Sequence, residues 1–70
     1  MYVKKIIEKH NASSIECRIY KDKFTKSNLL YNGKGKDCDL NLWNNEAKFF
    51  FIENDFTLGD LVRTMVIVVE

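Results

Sequence analysis

The sequence predicts a small α+β domain, mostly β, with an antiparallel sheet of four to five strands and at most one or two short helices. Segments of alternating apolar and polar residues recur along the chain, and short turn-type segments separate them at intervals of about ten residues. Hydrophobic residues make up 46% of the chain, which is too many for a disordered segment. Its 70 residues suffice for one hydrophobic core, so residues 1–70 are predicted to form a single domain.

The first element, residues 2–10, is predicted to be a helix. Val3, Ile6, Ile7 and His10 follow the spacing of one helical face, and charged residues occupy the opposite face. The alternative is a strand, in which the apolar residues would be divided between its two faces.

Segments 15–20 and 38–43 alternate with a period of two and are predicted to be strands. Cys17 and Cys38 lie on the apolar faces of these segments, which favours a role for both as small buried core residues.

Residues 29–31 are predicted to form a short strand that pairs with 38–43 across a hairpin turn at Asn32-Gly33. Gly33 and Gly35 are expected to supply the positive φ angles of that turn.

Segment 48–52 is apolar on both faces, which is typical of a central strand covered on two sides. The spacing of Thr57 and Asp60 resembles a helix capping box, so 57–62 is predicted to be a turn or a single helical turn. A β-branched strand over 63–69 would follow and pair with 48–52. A continuous C-terminal helix is the alternative.

The sequence predicts no catalytic, cofactor-binding or metal-binding residues, and therefore a protein that is not an enzyme. His10 is the only histidine, and nothing in the sequence places it beside a thiol. Two cysteines 21 positions apart and one histidine are too few for a zinc site. The loop 32–36 lacks the spacing of a phosphate-binding P-loop.

Lysines interrupt the N-terminal segment, and the chain has no apolar run long enough for a membrane span. We therefore expect a cytoplasmic protein with reduced thiols and no membrane partner.

Charge is distributed unevenly, with a balance of +5 over residues 17–36 and −5 over residues 37–70. Exposed aromatic rings beside basic residues are typical of a binding surface. The predicted partner surface consists of Arg18, Tyr20, Lys21, Lys23, Tyr31, Lys34, Lys36 and Trp43.

A second surface is predicted from the apolar surplus of the chain. A C-terminal edge strand of β-branched residues would be a template for pairing with another chain. It would support a homodimer, or a complex with a larger protein, through Met65, Val66, Ile67, Val68 and Val69.

The expected function is a non-enzymatic protein-binding module, an inhibitor or accessory protein that occupies a partner's surface. Lys, Asn, Ile, Phe and Tyr supply 30 of the 70 residues, a bias typical of AT-rich coding sequence. This bias suggests a phage or mobile-element protein, such as an anti-CRISPR or anti-restriction inhibitor, acting in the host cytoplasm. The alternative is a small nucleic-acid-binding β domain that uses a basic hairpin, with contacts from Arg18, Lys21, Lys23, Lys34 and Lys36.

Overall fold

The computed structural model describes the backbone of residues 1–70 and every side chain except that of Thr57. The elements are α1 (Val3–Lys9), β1 (Glu16–Lys21), β2 (Leu29–Lys34), α2 (Leu40–Trp43), β3 (Ala47–Thr57) and β4 (Asp60–Val69), with 3₁₀-helical turns at Ala12–Ser14, Lys26–Asn28 and Gly35–Asp37. Strands hold 49% of the residues and helical segments 29%, which confirms the predicted α+β, mostly β class. Among the described residues, no helix has the length and apolar character needed to cross a membrane.

The four strands form one sheet in the order β2-β1-β4-β3. The β1–β2 and β3–β4 pairs are antiparallel, but β1 and β4 run parallel. The sheet is therefore mixed, and the prediction of a purely antiparallel sheet is wrong. The β3–β4 hairpin lies on the β1 side of the sheet and not beside β2, so β1 and β4 are the two central strands.

Helix α1 confirms the prediction for the N-terminal segment. Its apolar stripe of Val3, Ile6 and Ile7 is buried, so the helix packs on one face of the sheet. His10 lies just beyond the end of the helix, where its exposed ring contacts Phe50 at a centroid distance of 5.1 Å. The histidine is thus an exposed aromatic contact at the rim of the core.

Both cysteines are buried free thiols, as predicted. Cys17 lies in β1, where the predicted strand is confirmed, but the predicted strand over 38–43 is wrong. Asp39 caps helix α2 instead, and its carboxylate accepts a hydrogen bond of 2.9 Å from the backbone N–H of Asn41. Such local side-chain bonds offer the backbone an alternative to a strand ladder.

The predicted hairpin turn at Asn32-Gly33 is also wrong. These residues lie inside β2, opposite Arg18 and Cys17 of β1. Gly35 follows in a 3₁₀-helical turn, without the positive φ that a hairpin turn would require. The glycine is needed for close packing, because a Cβ atom there would lie 2.2 Å from the carbonyl oxygen of Ala12.

The pairing of the 63–69 strand with 48–52 is confirmed, but the central strand is β4 and not β3. A turn occurs within the predicted range 57–62, but it is limited to residues 58–59 and is not helical, because β3 extends to Thr57 and β4 begins at Asp60. Residues 65–69 are fully buried between β1 and β3. The predicted exposed edge at Met65–Val69 is therefore wrong, because this apolar run fills the interior of the sheet.

The two faces of the sheet are covered differently. On the helix-covered face, α1, α2 and the 3₁₀-helical turns pack over a core that includes Cys17, Ile19, Met65 and Ile67. The opposite face, called the open face below, carries a smaller cluster of Tyr20, Val66, Val68 and Phe51. Phe24 contacts Tyr20 and Phe51 edge-on, at centroid distances of 4.9 and 5.4 Å.

Candidate functional site

The end of the β3–β4 hairpin extends beyond the rest of the sheet. Pairing between β1 and β4 begins at Glu16 and Thr64, so residues 54–63 form a two-stranded ribbon without a third strand. We call residues 54–63 the hairpin arm. In the described sheet, no strand pairs with the outer side of either arm strand. The described side chains of the arm are all exposed.

The turn at the tip of the hairpin arm contains a residue that local physical chemistry disfavours. Leu58 and Gly59 form a two-residue loop between paired residues 57 and 60, with φ angles of 53° and 85°. Positive φ at both positions defines the type I′ hairpin turn, which favours Asn-Gly or Asp-Gly. A leucine in this conformation costs roughly 1–2 kcal/mol.

Leu58 is also 99% exposed, so its apolar side chain gains nothing from burial to offset that conformational cost. An exposed leucine in a left-handed conformation conflicts with both turn chemistry and the hydrophobic effect. Such local inconsistencies tend to occur at functional sites.

The two sides of the hairpin arm carry different kinds of side chain. Phe56 and Leu61 face each other across the strands and point to the same side, with exposures of 79% and 51%. Ile52 lies on the same side of the sheet, four positions before Phe56 and just outside the arm, and is 39% exposed. The other side carries the carboxylates of Asp55 and Asp60, and Glu53 lies next to them, just outside the arm. One side of the arm thus presents two large exposed apolar side chains and the other presents two carboxylates, and they are called the apolar side and the acidic side below.

The residues predicted to form one partner surface are divided between different parts of the molecule. Arg18 and Tyr20 lie on the open face, but Tyr20 is almost completely buried beneath the ring of Phe24. Lys21 ends β1, and Lys23 lies in the loop that follows.

The remaining members lie elsewhere. Tyr31 and Trp43 pack against the core of the helix-covered face, and the Trp43 Nε1–H donates a 2.8 Å hydrogen bond to the Cys38 carbonyl. Lys34 forms an ion pair of 3.5 Å with Glu16, and Lys36 lies in a 3₁₀-helical turn. The eight residues form no continuous surface, and the predicted basic hairpin tip is absent because residues 32–34 belong to β2.

The thiols are poorly suited to nucleophilic chemistry. Burial raises the pKa of Cys17 to about 11, and the neighbouring Cys38 and Glu16 add to the shift. Burial and Asp39 raise the pKa of Cys38. The Cys17 Sγ–H donates to the Ala12 carbonyl at 3.5 Å, which holds the thiol in its neutral form. No group of three or more His, Cys, Asp or Glu side chains that could hold a metal ion occurs among the described residues.

Sequence reasoning missed Phe56, Leu58 and Leu61 as members of one exposed element. The available signal was Gly59 between the strand-type segments 48–52 and 63–69, since a glycine between two strands indicates a turn. The resemblance of Thr57 and Asp60 to a capping box concealed it.

Comparisons with protein-family models, with curated proteins and with solved structures find no match to this chain.

Proposed function

We propose that this chain is a non-enzymatic protein-binding module whose hairpin arm inserts its apolar side into a cleft on a different protein. The observation that carries the proposal is Leu58, an almost fully exposed leucine held at positive φ in a turn that favours asparagine. Neither the fold nor the turn gains from leucine at this position. A partner that buries the side chain would account for both features.

The exposed apolar side chains of the arm would supply a substantial part of the binding free energy of such a complex. Complete burial of an exposed Leu or Phe side chain is worth roughly 1.5–3 kcal/mol. Phe56, Leu58 and Leu61 together offer three such side chains on a short ribbon. In protein interfaces, a few well-buried anchors of this kind dominate the binding free energy.

The acidic side of the arm specifies the chemistry of the partner. Asp55 and Asp60 lie on this side with Glu53 just beyond the arm, whereas Arg63 points to the apolar side with Asn54. A complementary cleft would be apolar on one wall and carry Lys or Arg side chains on the other. Such charge complementarity increases the association rate and excludes acidic competitors.

A module of this kind inhibits or assists by occupying its partner's surface. The buried, neutral thiols suit the reducing host cytoplasm, and the AT-rich composition suits a phage or other mobile element. The raised pKa of Cys17 supports a protein without thiol catalysis.

The substitution Leu58→Asn tests the proposal because it should change folding and binding in opposite directions. Asparagine tolerates the left-handed conformation, so we expect the free energy of unfolding to rise by about 0.5–1 kcal/mol. Loss of the buried leucine should weaken partner binding by at least about tenfold. A partner captured with the wild-type chain would be purified and titrated with both proteins by calorimetry.

Leu40→Asn is the matched control. Leu40 is 78% exposed on α2, so this variant removes an exposed leucine outside the hairpin arm and should leave the affinity unchanged. Equal binding by wild type and Leu58→Asn would contradict the proposal. So would a dimer of the purified chain that dissociates on Leu58→Asn substitution, since a second copy would then occupy the arm.

A further inference from the structure

An open groove of about 540 Å³ lies beside α1, on a part of the molecule that the hairpin arm does not reach. Its lining combines aromatic rings with ammonium groups and consists of Tyr2, Lys4, Lys5, Glu8, Lys9, Trp43 and Asn44. The volume falls within the range of about 300–1,000 Å³ that is typical of small-ligand sites.

Two aromatic rings line the groove: the Trp43 ring is held by a hydrogen bond, and the Tyr2 ring is largely exposed. Trp43 is half-buried, and its Nε1–H bond to the Cys38 carbonyl fixes the orientation of the indole ring. The Lys4 ammonium lies 5.7 Å from the centre of that ring, a cation–π arrangement. Tyr2 is 56% exposed, so much of its ring is available for stacking.

The charged part of the groove is strongly cationic. Three lysines face a single glutamate among the lining residues. Within the described part of the chain, none of these lysines takes part in an ion pair, since the pairs found involve the N-terminus with Glu46 and Lys34 with Glu16. Glu8 offsets one of the three positive charges, so a net charge of +2 (3 − 1) remains in the groove and is available to an anion.

We propose that this groove binds a nucleoside phosphate, with the base against the aromatic rings and the phosphate on the lysine ammonium groups. A simple anion would leave the Tyr2 and Trp43 rings unused, and an apolar ligand would leave the lysines unpaired. Base–aromatic stacking with neighbouring phosphate contacts satisfies both parts. The ligand is either a free nucleotide or a nucleotide within a single strand, because both carry the same groups.

Trp43 is the only tryptophan in the chain, so its fluorescence reports directly on the groove. We would titrate the full chain with uridine monophosphate, a short oligo(dT) strand, uridine and inorganic phosphate. We expect saturable changes with both phosphorylated nucleotide ligands and weaker responses to uridine and to phosphate alone. Backbone amide shifts confined to residues 2–9 and 43–44 would place the ligand independently of fluorescence.

The double variant Lys5→Gln/Lys9→Gln should weaken nucleotide binding by about tenfold or more, because it removes charge-assisted hydrogen bonds to the phosphate. Lys23→Gln/Lys26→Gln is the matched control, with the same change in net charge outside the groove. Oligo(dT) binding that is tighter than nucleotide binding would support the single strand as the source. Tighter binding of the free nucleotide would support the small ligand.

Two results would overturn the proposal. The first is the absence of saturable binding by any nucleotide or strand. The second is an inorganic phosphate affinity equal to that of the nucleotide, which would mean that the aromatic rings contribute nothing. Neither result would affect the hairpin arm, whose test uses a different variant and a protein ligand.

Discussion

Replacement of Gly35 by alanine should destabilise the fold more than the same replacement at either of the other two glycines. A Cβ atom at this position would lie 2.2 Å from the carbonyl oxygen of Ala12 and 3.1 Å from Cγ2 of Ile7. Ordinary contact begins at 3.4 Å, so the Ala12 carbonyl would have to move by more than 1 Å. This carbonyl also accepts hydrogen bonds from the Ile15 N–H and the Cys17 thiol.

The expected loss of stability follows from these contacts. Overpacking of this kind costs about 1–3 kcal/mol, and a disrupted backbone hydrogen bond adds about 1 kcal/mol. Alanine returns about 0.4–1 kcal/mol by restricting the unfolded chain. The net loss of about 2–3 kcal/mol is a large part of the roughly 3–5 kcal/mol that a core of this size supplies.

Urea unfolding followed by Trp43 fluorescence would measure the loss, and thermal unfolding should show a midpoint lowered by about 10–20 °C. Gly33→Ala is the matched control, since its Cβ would meet only the far end of the Tyr31 side chain, at 2.7 Å. A small shift of the Tyr31 ring would relieve this contact at the expense of its hydrogen bond to the Lys34 carbonyl, so we expect a smaller cost of about 1 kcal/mol. A Gly35→Ala protein as stable as wild type, or less affected than Gly33→Ala, would refute this account of the packing.

Three further predictions concern the core and α2. The Cys17 thiol titrates at about 11 when folded against an ordinary value of 9.0, so the unfolded chain loses its proton first and stability should fall as pH rises from about 9 to 11. The loss is on the order of 2 kcal/mol, and urea unfolding of Cys17→Ala across this pH range should lack it. Asp39→Ala should cost about 0.5–2 kcal/mol by removing the cap on α2, whereas Asp39→Asn retains the cap and should unfold close to wild type. Trp43→Phe should cost about 1–3 kcal/mol, because the Cys38 carbonyl loses its donor inside the structure; a thermal midpoint equal to that of wild type would contradict this.

The spacing of apolar residues alone predicted the helix and the strand that bury one face against the core. The helical stripe of Val3, Ile6 and Ile7 and the alternation around Cys17 each identify one face against the core, and the structure confirms both elements. The β-branched run at Val66–Val69 was correctly assigned to a strand that pairs with 48–52. Its position in the sheet depends on long-range pairing, which the local pattern does not contain.

The errors occurred where local hydrogen bonds or tertiary contacts override the pattern. Residues 38–43 alternate like a strand, but the Asp39 cap directs them into a helix. Gly35 looked like a turn residue, although its small size is required by Ala12, which lies more than twenty positions earlier in the chain. No local sequence pattern reveals such a contact.

The candidate site was missed for a related reason. The position of Leu58 in the turn is recognisable from the following glycine, but its exposure depends on where β1 begins. Only the sheet register shows that residues 54–63 extend past the neighbouring strand. The hairpin arm is therefore a property of the topology.

Backbone amide hydrogen exchange on the purified complex tests the central claim most directly. Amides of the hairpin arm lie in a two-stranded ribbon at the end of the sheet and should exchange rapidly in the free chain. We predict strong protection of residues 54–63 when the partner binds, with little change on the open face around Arg18. Protection elsewhere with an arm that still exchanges rapidly would contradict the assignment of the arm as the docking site.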